Sequence, residues 1–377
     1  MVYWDNAATT WPKPMSVHRA VGQALRYGAN PGRSGHNMAM YSSELVYNCR
    51  QSVADFFGLE DASGVVFTAN CTMSINTVIG GLLEGGGRAL TSDIEHNAVM
   101  RPLFAMGRYD VAAWSPDEDE TVENFRRAIR SDTKLIICTH CSNVFGVTLP
   151  IRRLATLAHR YGVLFCVDAA QSAGVLPLDM TADDIDYLCI APHKGLYAPT
   201  GTGMLLCREH NYIAPLIRGG TGSFSLKYEQ PTDLPDRLES GTVNLPGIAG
   251  IEAGLRFVSE KGRENIYRHE LACLQRVYNA LQHCQGIHLY TSRPQKNLAG
   301  PVLSVNVQGY TSEEVGALLN QHGVAVRSGW HCAGAAHRKF GTVDIGTVRL
   351  APSAFTTLDQ ADRISKLFLQ IAEKRLH

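Results

Sequence analysis

Between Val65 and Cys207 short apolar runs alternate with amphipathic stretches, and this alternation limits the fold more than any other feature. Val65–Ala69, Ala89–Ser92, Leu135–Thr139, Val163–Asp168, Tyr187–Ala191 and Gly203–Cys207 have strand length and little charge. Helical spacing falls between them, near Thr72–Leu83, Ala98–Gly107, Val122–Ile129 and Leu154–Tyr161. Such a repeat builds βαβ units, so the expected class is α/β with a mainly parallel sheet covered on both faces. Upstream, Val17–Arg26 and Ser43–Phe57 read as helices around a loop, Gly28–Gly35, rich in glycine and proline. Residues 1–15, which include Pro12 and Pro14, read as an extended arm.

The pattern changes after Gly247. One long helical stretch from Ile248 to Gln282 precedes short strands at Ile287–Thr291 and Val302–Val307. A helix at Ser312–His322, strands at Val324–Arg327 and Thr347–Leu350, and a closing helix from Leu358 follow. A single core stops growing beyond about 250–300 residues, so a chain of 377 residues is expected to divide. The expected boundaries give an arm at 1–15 packing with the small domain, a large domain at 16–253 and a smaller α+β domain at 254–377.

Charge narrows the function. Lys plus Arg and Asp plus Glu both number 35, so no net charge favours nucleic acid or an anionic membrane. No apolar run approaches the roughly 20 residues of a spanning helix, and the N-terminus has no signal-peptide pattern. Ten cysteines, several inside apolar runs, read as reduced thiols of a cytoplasmic protein. Cys138-Thr139-His140-Cys141 lacks a second ligand pair at matched spacing, so no metal is expected.

The strand ends carry the chemistry. After Val66–Ala69 a helix begins at Cys71-Thr72, and its free N–H groups with the Thr72 hydroxyl make an anion site; a plain capping Thr is the alternative. His96 follows the next strand and can stack on a flat ring or simply cap a helix. Asp168 ends an apolar strand, and a buried carboxylate asks for a cation. Lys194 ends another, where desolvation would make its amine a nucleophile; a surface lysine at a strand end is the alternative. An anion grip, a ring stack, a carboxylate and a lysine on one sheet edge are the set that holds pyridoxal 5′-phosphate.

Asp5-Asn6-Ala7-Ala8-Thr9-Thr10, Glu95-His96, Ser142-Asn143, Asp168-Ala169-Ala170-Gln171, His193-Lys194 and Arg327-Ser328-Gly329-Trp330-His331-Cys332-Ala333 together extend over nearly the whole chain. In this order they resemble the cysteine desulfurases of the class V aminotransferase fold, nearest the branch with SUF-type desulfurases and selenocysteine lyases. The resemblance implies the type I fold of pyridoxal-phosphate enzymes, with a mainly parallel seven-stranded sheet and a smaller C-terminal α+β domain. It also implies roles. Lys194 would hold the cofactor and move the α-proton, with His96 stacked on the ring. Asp168 would face the ring nitrogen and Gln171 the phenolic oxygen, with Asn143 beside it. Cys71, Thr72 and His193 would serve the phosphate, joined by Gly220 and Thr221 of a Gly-rich loop from a second copy in a homodimer. Asn143, Arg327 and Arg349 would bind substrate, and Cys332 would accept sulfur as a persulfide. The implied substrate is L-cysteine or L-selenocysteine, with a sulfur-acceptor protein as a further partner.

Three positions depart from the pattern. Relatives usually carry a hydroxyl residue three before the lysine and a glycine two before it, where this chain has Ala191 and Pro192; Met73 stands where an acidic residue is common. One charged-group hydrogen bond fewer would cost about 1–2 kcal/mol of cofactor binding. Arg327, Trp330 and His331 before Cys332, and His337-Arg338-Lys339 after it, suggest an electropositive setting that favours thiolate. The other readings are selenocysteine lyase, a class V aminotransferase that leaves Cys332 idle, and a non-enzymatic sulfur-relay or cofactor-binding protein.

Overall fold

The computed structural model describes residues 1–32, 35–208 and 212–374; Arg33 and Ser34 of the expected Gly28–Gly35 loop lie outside them. Strand β1 (Val2–Tyr3) opens the chain, followed by α1 (Met15–Tyr27) and α2 (Asn37–Phe57). Next come β2 (Val65–Thr68), α3 (Cys71–Leu83), β3 (Arg88–Ser92), α4 (Asn97–Met106), β4 (Tyr109–Ala112) and α5 (Glu118–Ala128). The alternation continues through β5 (Thr133–Thr139), α6 (Ile151–Arg160), β6 (Leu164–Asp168), β7 (Tyr187–Ile190) and β8 (Gly203–Cys207).

Strands β2 to β8 form one seven-stranded sheet in the order β2-β8-β7-β6-β5-β3-β4. Strand β8 is antiparallel to β2 and β7, and the remaining pairs are parallel. All six apolar runs are strands, and β4 completes the seven strands that the resemblance implies. The apolar pattern misses β4 because it pairs with β3 alone and leaves Val111 exposed. The inner strands are covered on both faces. In β5, Leu135 and Ile137 enter one core while Ile136 and Cys138 enter the other, and none of the four is exposed. Each fully buried aliphatic side chain there contributes about 1.5–3 kcal/mol. This two-sided burial is why the strands read as continuous apolar runs instead of alternating ones.

The remainder comprises α7 (Leu245–Lys261), α8 (Arg263–Leu281), β9 (Ile287–Leu289), β10 (Leu303–Val307), α9 (Ser312–Gln321), β11 (Val324–Ala325), α10 (Gly334–Lys339), β12 (Val348–Leu350) and α11 (Leu358–Ala372). Strands β12, β10 and β9 make a three-stranded antiparallel sheet. The single helix expected from Ile248 to Gln282 is two helices. Gly262, at φ +79°, breaks it in a conformation that L side chains rarely adopt. Residue 254 lies within α7, whose Ile248, Ile251, Leu255 and Val258 belong to a core of the large sheet. Cys273, Leu274 and Val277 of α8 pack instead into the core of the small sheet.

The N-terminal arm connects these parts. Strand β1 pairs in parallel with β11, and Val2 and Trp4 enter the small core. Further along, Thr9 Oγ1, Thr10 Oγ1 and Lys13 Nζ donate to the His193 carbonyl at 3.1, 3.2 and 2.7 Å. Among the described residues no helix is long and apolar enough to cross a membrane.

Candidate active site

Because β3, β5, β6 and β7 are parallel, the turns after them open on one edge of the sheet. The turn after β2 joins them there, since two antiparallel pairings place β2 in the same direction as β7. A cleft on this edge is lined by Cys71, Thr72, His96, Asn143, Asp168, Gln171, His193 and Lys194, eight of the residues singled out in the sequence.

Helix α3 is capped by Asn70, not by Thr72: the Asn70 side chain accepts from the Met73 amide at 2.9 Å. Every helix start leaves its first four N–H groups without helical partners. Here the Met73 and Ser74 amides bond to the Asn70 carbonyl, which among the described residues leaves those of Cys71 and Thr72 for a ligand. His96 caps α4, with Nδ1 accepting from the Ala98 amide at 3.0 Å, so the ring proton of the neutral imidazole sits on Nε2. Burial pushes its pKa down to about 4, against the opposing pull of Asp168. It therefore both caps a helix and lines the cleft.

Asp168 is 4% exposed at the end of β6. Its Oδ1 accepts from the Ala170 amide at 2.9 Å and from the Cys71 thiol at 3.7 Å. Burial and the Asp168 charge raise the pKa of that thiol, so it remains a donor. Burial lowers the pKa of Lys194; Asp168 opposes this, while the Arg349 and Arg327 guanidiniums reinforce it. Gln171 donates to the Ala7 carbonyl of the arm at 3.0 Å. Burial, then the charges of Lys194 and Lys13, push His193 down to about 4. Its Nδ1 is buried without a partner among the described residues.

Cys332 borders this cleft through its backbone. The Asn143 side chain donates to the His331 carbonyl at 2.8 Å, and the Asn97 amide donates to the Cys332 carbonyl at 2.7 Å. His331 and Cys332 both have positive φ, +51° and +55°. The setting is less positive than the sequence suggests. His331 is buried and stacks on His337 with ring centroids 5.8 Å apart. Burial and the Arg349 charge push His331 down to about 2, and burial lowers His337 too, so both rings are neutral. Lys339 is paired with Asp93 at 3.0 Å.

Arg349 lies on β12 in register with Arg327, and its guanidinium bonds the Asn143 carbonyl and the Asp5 carboxylate. Gly220 and Thr221 do not line the cleft of their own chain; they bond Gly241 and Ser223. The sequence alone points to no role for Asp5, Lys13 or Asn70. Only Asn70 had a local signal, a capping residue directly before a helix start.

A model of the class-V aminotransferases matches residues 2–364, and the chain belongs to that family. A probable cysteine desulfurase of Methanothermobacter thermautotrophicus is 30% identical over 98% of this chain and 94% of its own length. A cysteine desulfurase of Haloferax volcanii is 29% identical over 97% of this chain and 88% of its own. Among solved structures, the apo cysteine desulfurase of Thermococcus onnurineus superposes with a TM-score of 0.92 at 29% identity, covering 99% of this chain and 95% of that one. An Escherichia coli cysteine desulfurase in an S-sulfonic acid form superposes with a TM-score of 0.88 at 25% identity, covering 100% of this chain and 95% of that one. These neighbours share the type I fold.

Proposed function

We propose that the chain is a pyridoxal-phosphate-dependent cysteine desulfurase that moves sulfur from L-cysteine onto Cys332 and releases L-alanine. One observation carries this reading. Of ten cysteines Cys332 alone is exposed, and its carbonyl is bonded to the start of the helix that His96 caps. An accessible thiol and the cleft thus share a wall. A class V aminotransferase has no use for that thiol.

The cleft suits the cofactor. The open amides of Cys71 and Thr72 and the unpartnered Nδ1 of His193 are donors for a phosphate. Asp168, buried and without an ion pair among the described residues, is matched to a protonated ring nitrogen. His96 would stack on the ring, Gln171 would serve its phenolic oxygen, and Lys194 would carry the covalent link. When bound, the group supplies an electron-withdrawing ring that stabilises negative charge at the substrate Cα.

The chain's own residues do the rest. Arg349, with Asn143 and Arg327, orients the substrate carboxylate. Lys194 Nζ, its basicity reduced by burial, takes the Cα proton. Cys332 Sγ attacks the cysteine sulfur, and the Cβ–S bond breaks with its electron pair remaining on carbon. That carbon takes up a proton and Lys194 returns one to Cα, so cysteine plus one thiol give alanine plus one persulfide.

Further assignments rest on the same reading. A homodimer is supported by Leu226 and Tyr228, which stand fully exposed close to the Gly219–Gly222 loop. A cytoplasmic setting is supported by ten free cysteines, and a sulfur-acceptor protein by the exposure of Cys332. The division into arm, large and small domains is supported by the separate cores of the two sheets, with Val2 and Trp4 of the arm in the smaller one.

The test is to incubate the purified protein, loaded with pyridoxal phosphate, with L-cysteine and a thiol reductant. Equal amounts of L-alanine and sulfide are expected. A 2-oxo acid without sulfide would establish the aminotransferase reading instead. The same assay with L-selenocysteine measures the preference between the two.

A further inference from the structure

Arg349 is only 1% exposed, yet its hydrogen bonding is incomplete. Nη1 donates to the Asn143 carbonyl at 3.0 Å and Nη2 to Asp5 Oδ1 at 2.7 Å. Nε is buried with no partner among the described residues. Nε and Nη2 lie on one edge of the guanidinium, the edge that takes a carboxylate side-on through two parallel bonds. Asp5 already engages one of those two nitrogens. Arg327, bridged to Arg349 in register, has no ion pair among the described residues. Two guanidiniums therefore have one carboxylate between them.

Asp5 is well fixed. Its flanking residues bond Ala351, next but one after Arg349: the Ala351 amide donates to the Trp4 carbonyl at 2.8 Å, and Asn6 Nδ2 to the Ala351 carbonyl at 2.9 Å. Its side chain retains 22% exposure while that of Arg349 has 2%. The acid is thus the more accessible member of the pair.

We propose that Asp5 is a built-in competitor of the substrate carboxylate: it half-occupies Arg349 in the free protein and yields the Nε–Nη2 edge when an amino acid binds. This rests on the function proposed above. A buried guanidinium without any anion is costly, because breaking such a pair leaves an uncompensated charge. Asp5 keeps Arg349 charged and in place between turnovers. The same contact weakens substrate binding, since the substrate gains only the difference between its own two bonds and the one it displaces. Asp5 is therefore a positioning residue that sets affinity through Arg349.

The test uses the cofactor-loaded protein and its Asp5→Asn and Asp5→Glu variants, with melting temperatures confirming that each is folded. Calorimetry measures the binding of L-alanine and of alaninamide, which lacks the carboxylate. Asp5→Asn should tighten L-alanine about tenfold, or about 1.4 kcal/mol, and leave alaninamide unchanged. Asp5→Glu, which keeps the charge, should bind L-alanine as the parent does. In turnover, Asp5→Asn should lower KM for L-cysteine without raising kcat. If the parent binds L-alanine and Asp5→Asn binds it equally or more weakly, competition is overturned and Asp5 merely orients Arg349. Tightening by Asp5→Glu as well would also overturn it, since charge would then not be the cause. If neither the parent nor Asp5→Asn binds L-alanine at all, the functional reading itself falls and takes the competitor role with it.

Discussion

The Asn97 amide donates to the Cys332 carbonyl at 2.7 Å, which ties the loop of the exposed thiol to the first residue of the helix capped by His96. Two segments far apart in the chain thus share one hydrogen bond at the rim of the cleft. Asn97 holds the first helical position, where proline is tolerated because its missing N–H has no helical partner. His96 has φ −76° and ψ 155°, the extended geometry that a following proline requires. Asn97→Pro therefore deletes one bond and little else. A typical hydrogen bond contributes about 0.5–1.5 kcal/mol, so persulfide formation on Cys332 should slow about two- to tenfold, with cofactor absorbance retained. An unchanged single-turnover rate would show that this bond does not hold the loop.

Lys194 is expected to carry the cofactor. Borohydride reduction of the loaded protein and peptide mapping should find the pyridoxyl group there, and finding it on Lys227 or Lys134 would refute the assignment. Lys194→Ala should lose alanine formation from either amino acid by at least ~100-fold, the lower range for removing a general base.

Cys332→Ala should keep the visible absorbance and lose alanine production from L-cysteine. A selenol is more acidic than a thiol and leaves more readily, so a substantial part of any activity on L-selenocysteine should persist. Desulfuration of cysteine at the parent rate would return Cys332 to a structural role.

Glu95 gives a pH dependence that is independent of turnover. Burial raises its pKa to about 8 from an ordinary 4.5, although Ser92 and the Thr139 amide bond the carboxylate. The folded state then holds a proton that the unfolded state has released, so this group's contribution to stability falls as pH rises from about 4.5 to about 8. Glu95→Gln should remove that slope. Urea midpoints at pH 5 and pH 8 should lie closer together in the variant than in the parent; an equal or wider separation would rule the mechanism out.

Much of this site can be read from the sequence because it is built at strand ends. Asp168 closes an uninterrupted apolar run and Lys194 follows another by the short turn Ala191-Pro192-His193, and parallel pairing brings such ends to one edge whatever the connections between them. Other features depend on tertiary contacts that leave no local trace. The bond between Asp5 and Arg349 joins opposite ends of the chain. Strand β4 is recognisable only by its partner β3. His331 and His337 look cationic as letters, and burial makes them neutral. The break at Gly262 had a visible residue, but periodicity on both sides of it masked the change of core.

If Cys332 carries the persulfide proposed above, the consecutive left-handed residues His331 and Cys332 also bear on how sulfur would leave the protein. Each such conformation costs a non-glycine residue about 1–2 kcal/mol, and the bonds to Asn143 and Asn97 hold them there. Helix α10 begins two residues after Cys332, and the Arg327–Arg349 bridge lies five residues before it. On so short a tether the sulfur cannot swing out to a recipient. Transfer therefore becomes a matter of docking: a protein recipient must bring its own thiol down to the rim beside Trp330, on a projecting loop or tail. Free thiols such as dithiothreitol, needing no such projection, should discharge the persulfide unaided.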